Sequence, residues 1–228
     1  MHGVIYIQMR ISGGIAKGRV TTKKNLFSKS SSSPDLRPTS SKVREALFDI
    51  LRGRLTGAVF ADIYAGTGTV GLEALSRGAA KALFVEQRQS LVNLIRDSAK
   101  KLGFSETIIL IKGKAEDFIG KSFRTNQKID ILFIDPPYHS DEIDKVLPAV
   151  ARGNMLQKDG VVVIEHFFKR KKCSKSTQNG PKKQVSKHHI WNKKLYFFNS
   201  EKNVIFGILN PSSFKNAPVF PEWIFFKN

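Results

Sequence analysis

The stretch from Ile129 to Tyr138 constrains this chain more than any other. Ile129-Asp130-Ile131-Leu132-Phe133-Ile134 is a run of branched and aromatic apolar residues, the pattern of a strand buried on both faces of a parallel sheet. It runs directly into Asp135, Pro136, Pro137 and Tyr138. Both prolines lack an N–H and have a fixed φ, so the strand cannot continue and the turn after it is stiff. In an open α/β sheet, ligands bind just beyond the carboxyl ends of the strands, which is where Asp135 and Tyr138 fall. Asp135 and the Pro136 carbonyl each accept a hydrogen bond, and Tyr138 offers a stacking face. Together they suit a flat ring bearing an exocyclic amine. An ordinary Asp-Pro turn is the plainer reading of a lone pair. The second proline and the tyrosine, closing a fully apolar strand, favour the ring-binding one.

Around this stretch the pattern alternates. Strands are expected near 58–64, 81–86, 107–111, 129–135 and 160–165, and helices near 69–78, 88–102, 115–121 and 140–152. Regular β-α alternation predicts a parallel, doubly wound α/β sheet. Ahead of it, the spacing of Val43, Ala46, Leu47, Ile50 and Leu51 predicts a helix over 41–54 with that stripe on the core. Arg44 and Glu45 lie beside the stripe, as a solvated pair or as residues facing the site. Leu195–Asn199 and Val204–Leu209 are expected to pair as an antiparallel hairpin. This organisation divides the chain into a basic extension over 1–40, a catalytic-type domain over 41–209 and an aromatic, aperiodic tail over 210–228.

The first predicted strand ends at Asp62 and is followed by Ala65-Gly66-Thr67-Gly68-Thr69-Val70-Gly71. Gly66 to Gly71 matches the dinucleotide fingerprint, a weak signal alone. Glu86 ends the next strand, 18 residues after Gly68, where an acid can hold ribose hydroxyls. Asp62 discriminates between cofactors. A pyrophosphate beside it would be repelled, whereas the ammonium of S-adenosylmethionine would be attracted. The glycines let backbone approach a ligand, and the helix N-terminus favours its carboxylate. After the third strand come Lys114 and Ala115, with acids at Glu116 and Asp117. A lysine stands where an acid or amide would meet an adenine amine, which leaves that contact open, and Phe118 reads either as pocket wall or as core.

Charge points to a polyanionic partner: the net charge is +19 and the pI about 10.1. Residues 169–194 carry ten Lys or Arg and no acid, which reads as a basic loop inserted in the domain. The stretch from Met9 to Arg19 is basic, glycine-rich and suited to lying along phosphates. No apolar run reaches 18 residues, and Met1–Arg10 is too weakly apolar for a signal peptide, so neither a membrane nor export is expected. Cys173 is the only cysteine, which excludes an internal disulfide and a cysteine zinc site; no metal is expected, and a reducing cytoplasm is the natural compartment.

Asp135-Pro136-Pro137-Tyr138 resembles motif IV of the amino-methyltransferases. Further blocks coincide in order: Met9-Arg10-Ile11 with Gly13-Gly14, Arg37-Pro38-Thr39, Val43 to Phe48, Asp62 to Gly71, and Gly71 to Ala79. In combination they resemble the RsmD family of bacterial rRNA guanine-N2 methyltransferases, over residues 9–168 and the final hairpin. The resemblance implies a Rossmann-like, seven-stranded class I methyltransferase fold, its last strand antiparallel, with a basic N-terminal extension and helix. It implies S-adenosylmethionine as donor, held by Asp62, Ala65, Gly66, Gly68, Glu86 and Ala115, with Asp135, Pro136 and Tyr138 at the reacting amine. It further implies a guanine in 16S rRNA as target, within the small ribosomal subunit or an assembly intermediate, and a monomeric enzyme. An N6-adenine methyltransferase and a catalytically idle RNA-binding assembly factor are the alternatives, and an NAD-linked oxidoreductase is the other reading of the glycine loop. If the basic segment docks RNA, replacing Lys169, Arg170, Lys171 and Lys172 by serine will flatten the salt dependence of affinity for small subunits. Parallel salt slopes for both proteins would exclude that role.

Overall fold

In the computed structural model, residues 10–21, 39–122, 128–137, 142, 145–146, 149–150, 155–167, 193–199 and 204–207 are described. Five strands run parallel: β1 (Val59–Asp62), β2 (Lys81–Glu86), β3 (Ile108–Lys112), β4 (Ile129–Ile134) and β5 (Leu156–Phe167). Two more, β6 (Lys193–Asn199) and β7 (Val204–Gly207), extend the sheet in the order β3-β2-β1-β4-β5-β6-β7. The predicted strands match within a few residues, except that β5 is longer at both ends than the expected 160–165.

The hairpin corrects one expectation. The strand reversed against the parallel set is β6, which pairs antiparallel with β5, and not the last one. A hairpin's second strand must neighbour its first, and only the outer edge of β6 is open, so β7 lies there and returns to the common direction. Lys193 and Lys194 belong to β6, so the basic insert expected over 169–194 yields its last two lysines to the sheet; its remaining residues, like the tail over 210–228, lie outside the described residues.

Alternation along the strands builds two cores. Phe60, Phe84, Ile131, Phe133, Val161 and Val163 face α1 (Ser41–Leu55), α2 (Thr69–Ser76) and α3 (Gln89–Leu102). Ala61, Ile63, Leu83, Val85, Leu132, Ile134, Val162 and Ile164 face the other way, with Ile119 of α4 (Ala115–Ser122) and with Val146 and Val150, which are helical in the segment after Pro137. The strands are apolar on both sides because both sides are covered.

The first helix turns a different face to the core from the one predicted. Its buried residues are Arg44, Leu47, Phe48, Leu51 and Leu55, while Ile50 is 47% exposed. Arg44 accounts for the rotation, because hydrophobic periodicity does not count an arginine as core. Its Nε lies 3.0 Å from Oε2 of Glu73, which is fully buried on α2. Oε1 of Glu73 accepts from Arg77 at 2.8 Å and from the Ser12 hydroxyl. The Arg77 guanidinium also lies 5.0 Å from the centre of the Phe48 ring. Glu45, by contrast, is exposed, so neither residue of that pair faces the site.

Arg10–Thr21 folds back as a hook. Ile11 donates to the Arg19 carbonyl, Gly18 donates to the Ile11 carbonyl, and Arg10 bridges Val20. Ile11 and Ala16 are buried in the core, so this part of the extension packs on the domain, with Arg10, Lys17 and Arg19 exposed on its outer side. Arg19 turns its guanidinium to the carbonyls of Lys101 and Leu102, closing the C-terminal end of α3. Gly14 is held at φ +78° with its missing Cβ against the Ser76 carbonyl, a position no side chain could occupy.

Glu73→Gln keeps the shape of the side chain but strands two arginines, and removing one partner of a buried ion pair costs about 3–5 kcal/mol. Urea denaturation is expected to show a loss of that size, with an unchanged m-value. A loss below about 1 kcal/mol, the level of an exposed pair, would show that the triad is not a structural centre.

Candidate active site

The strand order reverses between β1 and β4, and the crevice opens there, beyond their carboxyl ends. It is a cavity of about 300 Å³. Asp62, Ala65 and Gly66 line it from the end of β1, Glu86 from β2, Ala115 from the start of α4, and Asp135 and Pro136 from β4. Seven of the nine residues expected at the site therefore converge on one cavity. Gly68 does not: its φ is +74°, and a Cβ there would strike the Ile95 side chain at 2.7 Å, so it serves helix packing at the start of α2. Tyr138 lies outside the described residues. Lys114 lines the cavity, whereas Phe118 packs in the core beneath it.

Asp62 is 2% exposed. Burial pushes its carboxyl from 3.8 up to about 7; backbone N–H groups of Tyr64 and Gly71 pull the other way, and the nearby charges of Glu86 and Glu165 push it further up. Its Oδ1 has no hydrogen-bond partner. A buried carboxylate oxygen left unpaired, with two more carboxylates nearby, leaves the crevice at Asp62 open to a positively charged donor.

Glu86 is more fully engaged than its sequence position suggests. Its Oε2 accepts the Gly66 N–H at 2.9 Å, and its Oε1 accepts the Arg88 N–H at 2.9 Å and Nε at 3.2 Å. It thereby ties the glycine loop to the end of β2, and these bonds leave one acceptor position on Oε2 unused by them.

Several lining residues had no site role assigned from the sequence, although Thr39 stands in the Arg37-Pro38-Thr39 block. Thr39 lines the crevice with its carbonyl accepting from Arg44 at 2.6 Å and its hydroxyl donating to Glu165 at 3.2 Å. Glu165 is 1% exposed within β5, a carboxylate hidden in a strand that reads as apolar. Tyr64 and Glu142 also line the wall. The Tyr64 hydroxyl is buried without a partner in hydrogen-bond geometry, and burial, then the adjacent Glu142 carboxylate, raise it above the ordinary tyrosine range. Among the described residues no group of His, Cys, Asp and Glu is placed to hold a metal ion, and no helix is long and apolar enough to cross a membrane.

Five parallel strands, helices on both faces and an acid-lined crevice at the switch point define a methyltransferase-like α/β fold. The solved structure of the Haemophilus influenzae protein HI0767 matches 69% of this chain and 81% of that one, with a TM-score of 0.55 and 27% identity. The Escherichia coli protein yhhF shares the fold, with a TM-score of 0.59 at 24% identity over 70% of this chain and 81% of that one. The family profile described as conserved hypothetical protein 95 matches residues 9–197, and the chain belongs to that family, the RsmD family. Its relatives include the ribosomal RNA small subunit methyltransferase D of Buchnera aphidicola, 32% identical over 73% of this chain and 80% of the relative. The protein of the same name from Escherichia coli is 31% identical over 69% of this chain and 74% of the relative.

Because the folded chain holds the Asp62 proton up to about pH 7, while the unfolded chain releases it near 3.8, stability falls as pH rises between those values. Asp62→Asn removes the charge and keeps the shape. Its melting temperature is expected to exceed that of the ligand-free wild type at pH 8, with the gain shrinking towards pH 4. An equal or lower melting temperature at pH 8 would show that the Asp62 charge is already compensated.

Proposed function

We propose that this chain transfers a methyl group from S-adenosylmethionine to the N2 amine of a guanine in small-subunit rRNA. Family membership supports the reaction class, and one observation carries the assignment of the site. The unpaired Asp62 oxygen and the Asp135–Pro136 acceptor pair stand at the ends of adjacent strands, in one cavity. One end is suited to a cation and the other to an amine.

The residues fit the cofactor. The orphaned Asp62 oxygen calls for a positively charged donor, and the ammonium of S-adenosylmethionine is one. Glu86, braced by Gly66 and Arg88, keeps one acceptor position on Oε2 for a ribose hydroxyl. Gly66 and Ala65 present backbone to the ligand, and Lys114 and Ala115 border the adenine side. When bound, the cofactor supplies an electrophilic methyl group on a sulfonium. A pyrophosphate, as in NAD, would meet three carboxylates, which disfavours the oxidoreductase reading.

At the other end, the guanine N2 lone pair is delocalised into the ring, so the amine is a poor nucleophile. Asp135 and the Pro136 carbonyl accept its hydrogens, bend the nitrogen towards tetrahedral geometry and aim it. As the C–S bond breaks and the N–C bond forms, the surplus proton leaves along the hydrogen bond to Asp135. Positioning and fixed charge supply most of the acceleration. Tyr138 completes this reading as the stacking face for an exposed or flipped base. The sheet then corresponds to a seven-stranded class I methyltransferase fold over 41–209, with a basic extension over 1–40 and a tail over 210–228. The partner is 16S rRNA within the small subunit or an assembly intermediate, and the enzyme works in the cytoplasm as a monomer.

Transfer of labelled methyl to small subunits, followed by nucleoside analysis, is expected to give N2-methylguanosine; N6-methyladenosine would favour the adenine enzyme, and no product the idle factor. Asp135→Ala is expected to abolish transfer while cofactor affinity stays within about twofold. Asp62→Ala and Glu86→Ala should each weaken S-adenosylmethionine binding by about ten- to a hundredfold, as charge-assisted hydrogen bonds are worth roughly 1.5–3 kcal/mol. Unchanged calorimetric affinity in both variants would make the loop a structural turn.

A further inference from the structure

The same acceptor pair serves adenine as well as guanine, so Asp135 and Pro136 do not by themselves choose the base. The opposite wall of the crevice does carry a discriminating group. β1 and β4 are parallel with Asp62 opposite Phe133, and just beyond these strand ends Tyr64 and Asp135 line the same cavity. The Ile63 N–H donates to the Phe133 carbonyl at 3.2 Å and keeps the two strand ends together. Tyr64 and Glu142 line the crevice with Asp135 and Pro136. The Tyr64 hydroxyl is buried without a hydrogen-bond acceptor, beside the Glu142 carboxylate. Glu142 is itself only partly buried, and no ion pair engages it among the described residues.

A carboxylate accepts hydrogen bonds and donates none. The ring nitrogen beside the guanine amine, N1, carries a hydrogen; the corresponding nitrogen of adenine carries a lone pair. Glu142 would attract the first and repel the second. We propose that Glu142, oriented by the Tyr64 hydroxyl, reads the N1–H of the target base and so restricts the crevice to guanine. The inference rests on the function proposed above and adds to it the residue that selects the base. Tyr64 acts as a positioning residue: when the base binds, its unpartnered hydroxyl turns to donate to one Glu142 oxygen and leaves the other for the base. A site built to bond a substrate N–H discriminates sharply against an analogue that lacks it, because its own buried group is then left unpaired.

The test uses the full chain and small-subunit RNA carrying, at the mapped methylated position, either guanine or 2-aminopurine. The analogue keeps the 2-amine but has a lone pair at N1. Wild type is expected to prefer guanine in kcat/KM by at least about tenfold. Glu142→Gln, whose amide donates as well as accepts, is expected to lower that preference by about tenfold or more while S-adenosylmethionine affinity stays unchanged. Tyr64→Phe should shift the ratio in the same direction and by less. A wild type indifferent to the analogue, or a Gln variant with an unchanged ratio, would overturn the role of Glu142. Neither result would touch the methyltransferase assignment, which fails only if wild type makes no N2-methylguanosine.

Discussion

The hook, α1 and α2 are joined on one side of the sheet by the Glu73 carboxylate. It is fully buried, yet three different segments reach it: Arg44 from α1, Arg77 from its own helix and Ser12 from the hook. An unpaired carboxylate in that position would be costly, and two guanidinium groups and a hydroxyl remove the cost only if all the segments arrive together. The network is therefore a specification of geometry as much as a source of stability. Arg44 extends it by bonding the carbonyls of Arg10 and Thr39, so one side chain fixes the hook, the first helix and one wall of the crevice.

That network explains where the sequence misleads. The strands were legible because both cores need continuous apolar residues, and the ends of β1, β2 and β4 marked themselves with Asp62, Glu86 and Asp135. The face of α1 was not legible, because its central buried residue is an arginine whose partner lies 29 positions away. The packing of the hook, Arg10–Thr21, was not legible for the same reason. Its basic residues are visible in the sequence, but the burial of Ile11 and Ala16 depends on a pocket made by other segments. Gly68 illustrates a subtler limit. It belongs to a fingerprint usually read as ligand contact, and here its lack of a Cβ makes room for Ile95.

A second contrast runs between the outside and the inside of the molecule. The chain carries a net charge of +19, yet the described wall of the crevice gathers Asp62, Glu86, Glu116, Asp135 and Glu142, with Glu165 just behind. Basic residues such as Lys17 and Arg19 lie on the surface, where they strengthen the attraction of a polyanion without entering the crevice. Bulk charge and local charge are thus of opposite sign at different places. A reading from net charge alone misses the acidic wall of the crevice.

Thr39 has a mechanical consequence. Its carbonyl is tied to α1 through Arg44 and its hydroxyl to β5 through Glu165, while its surface forms part of the crevice. It is a fixed post in that wall, anchored to a helix on one side and to a strand on the other. Any displacement of Thr39 has to stretch both bonds at once, so this side of the crevice moves only if the helix and the sheet move with it.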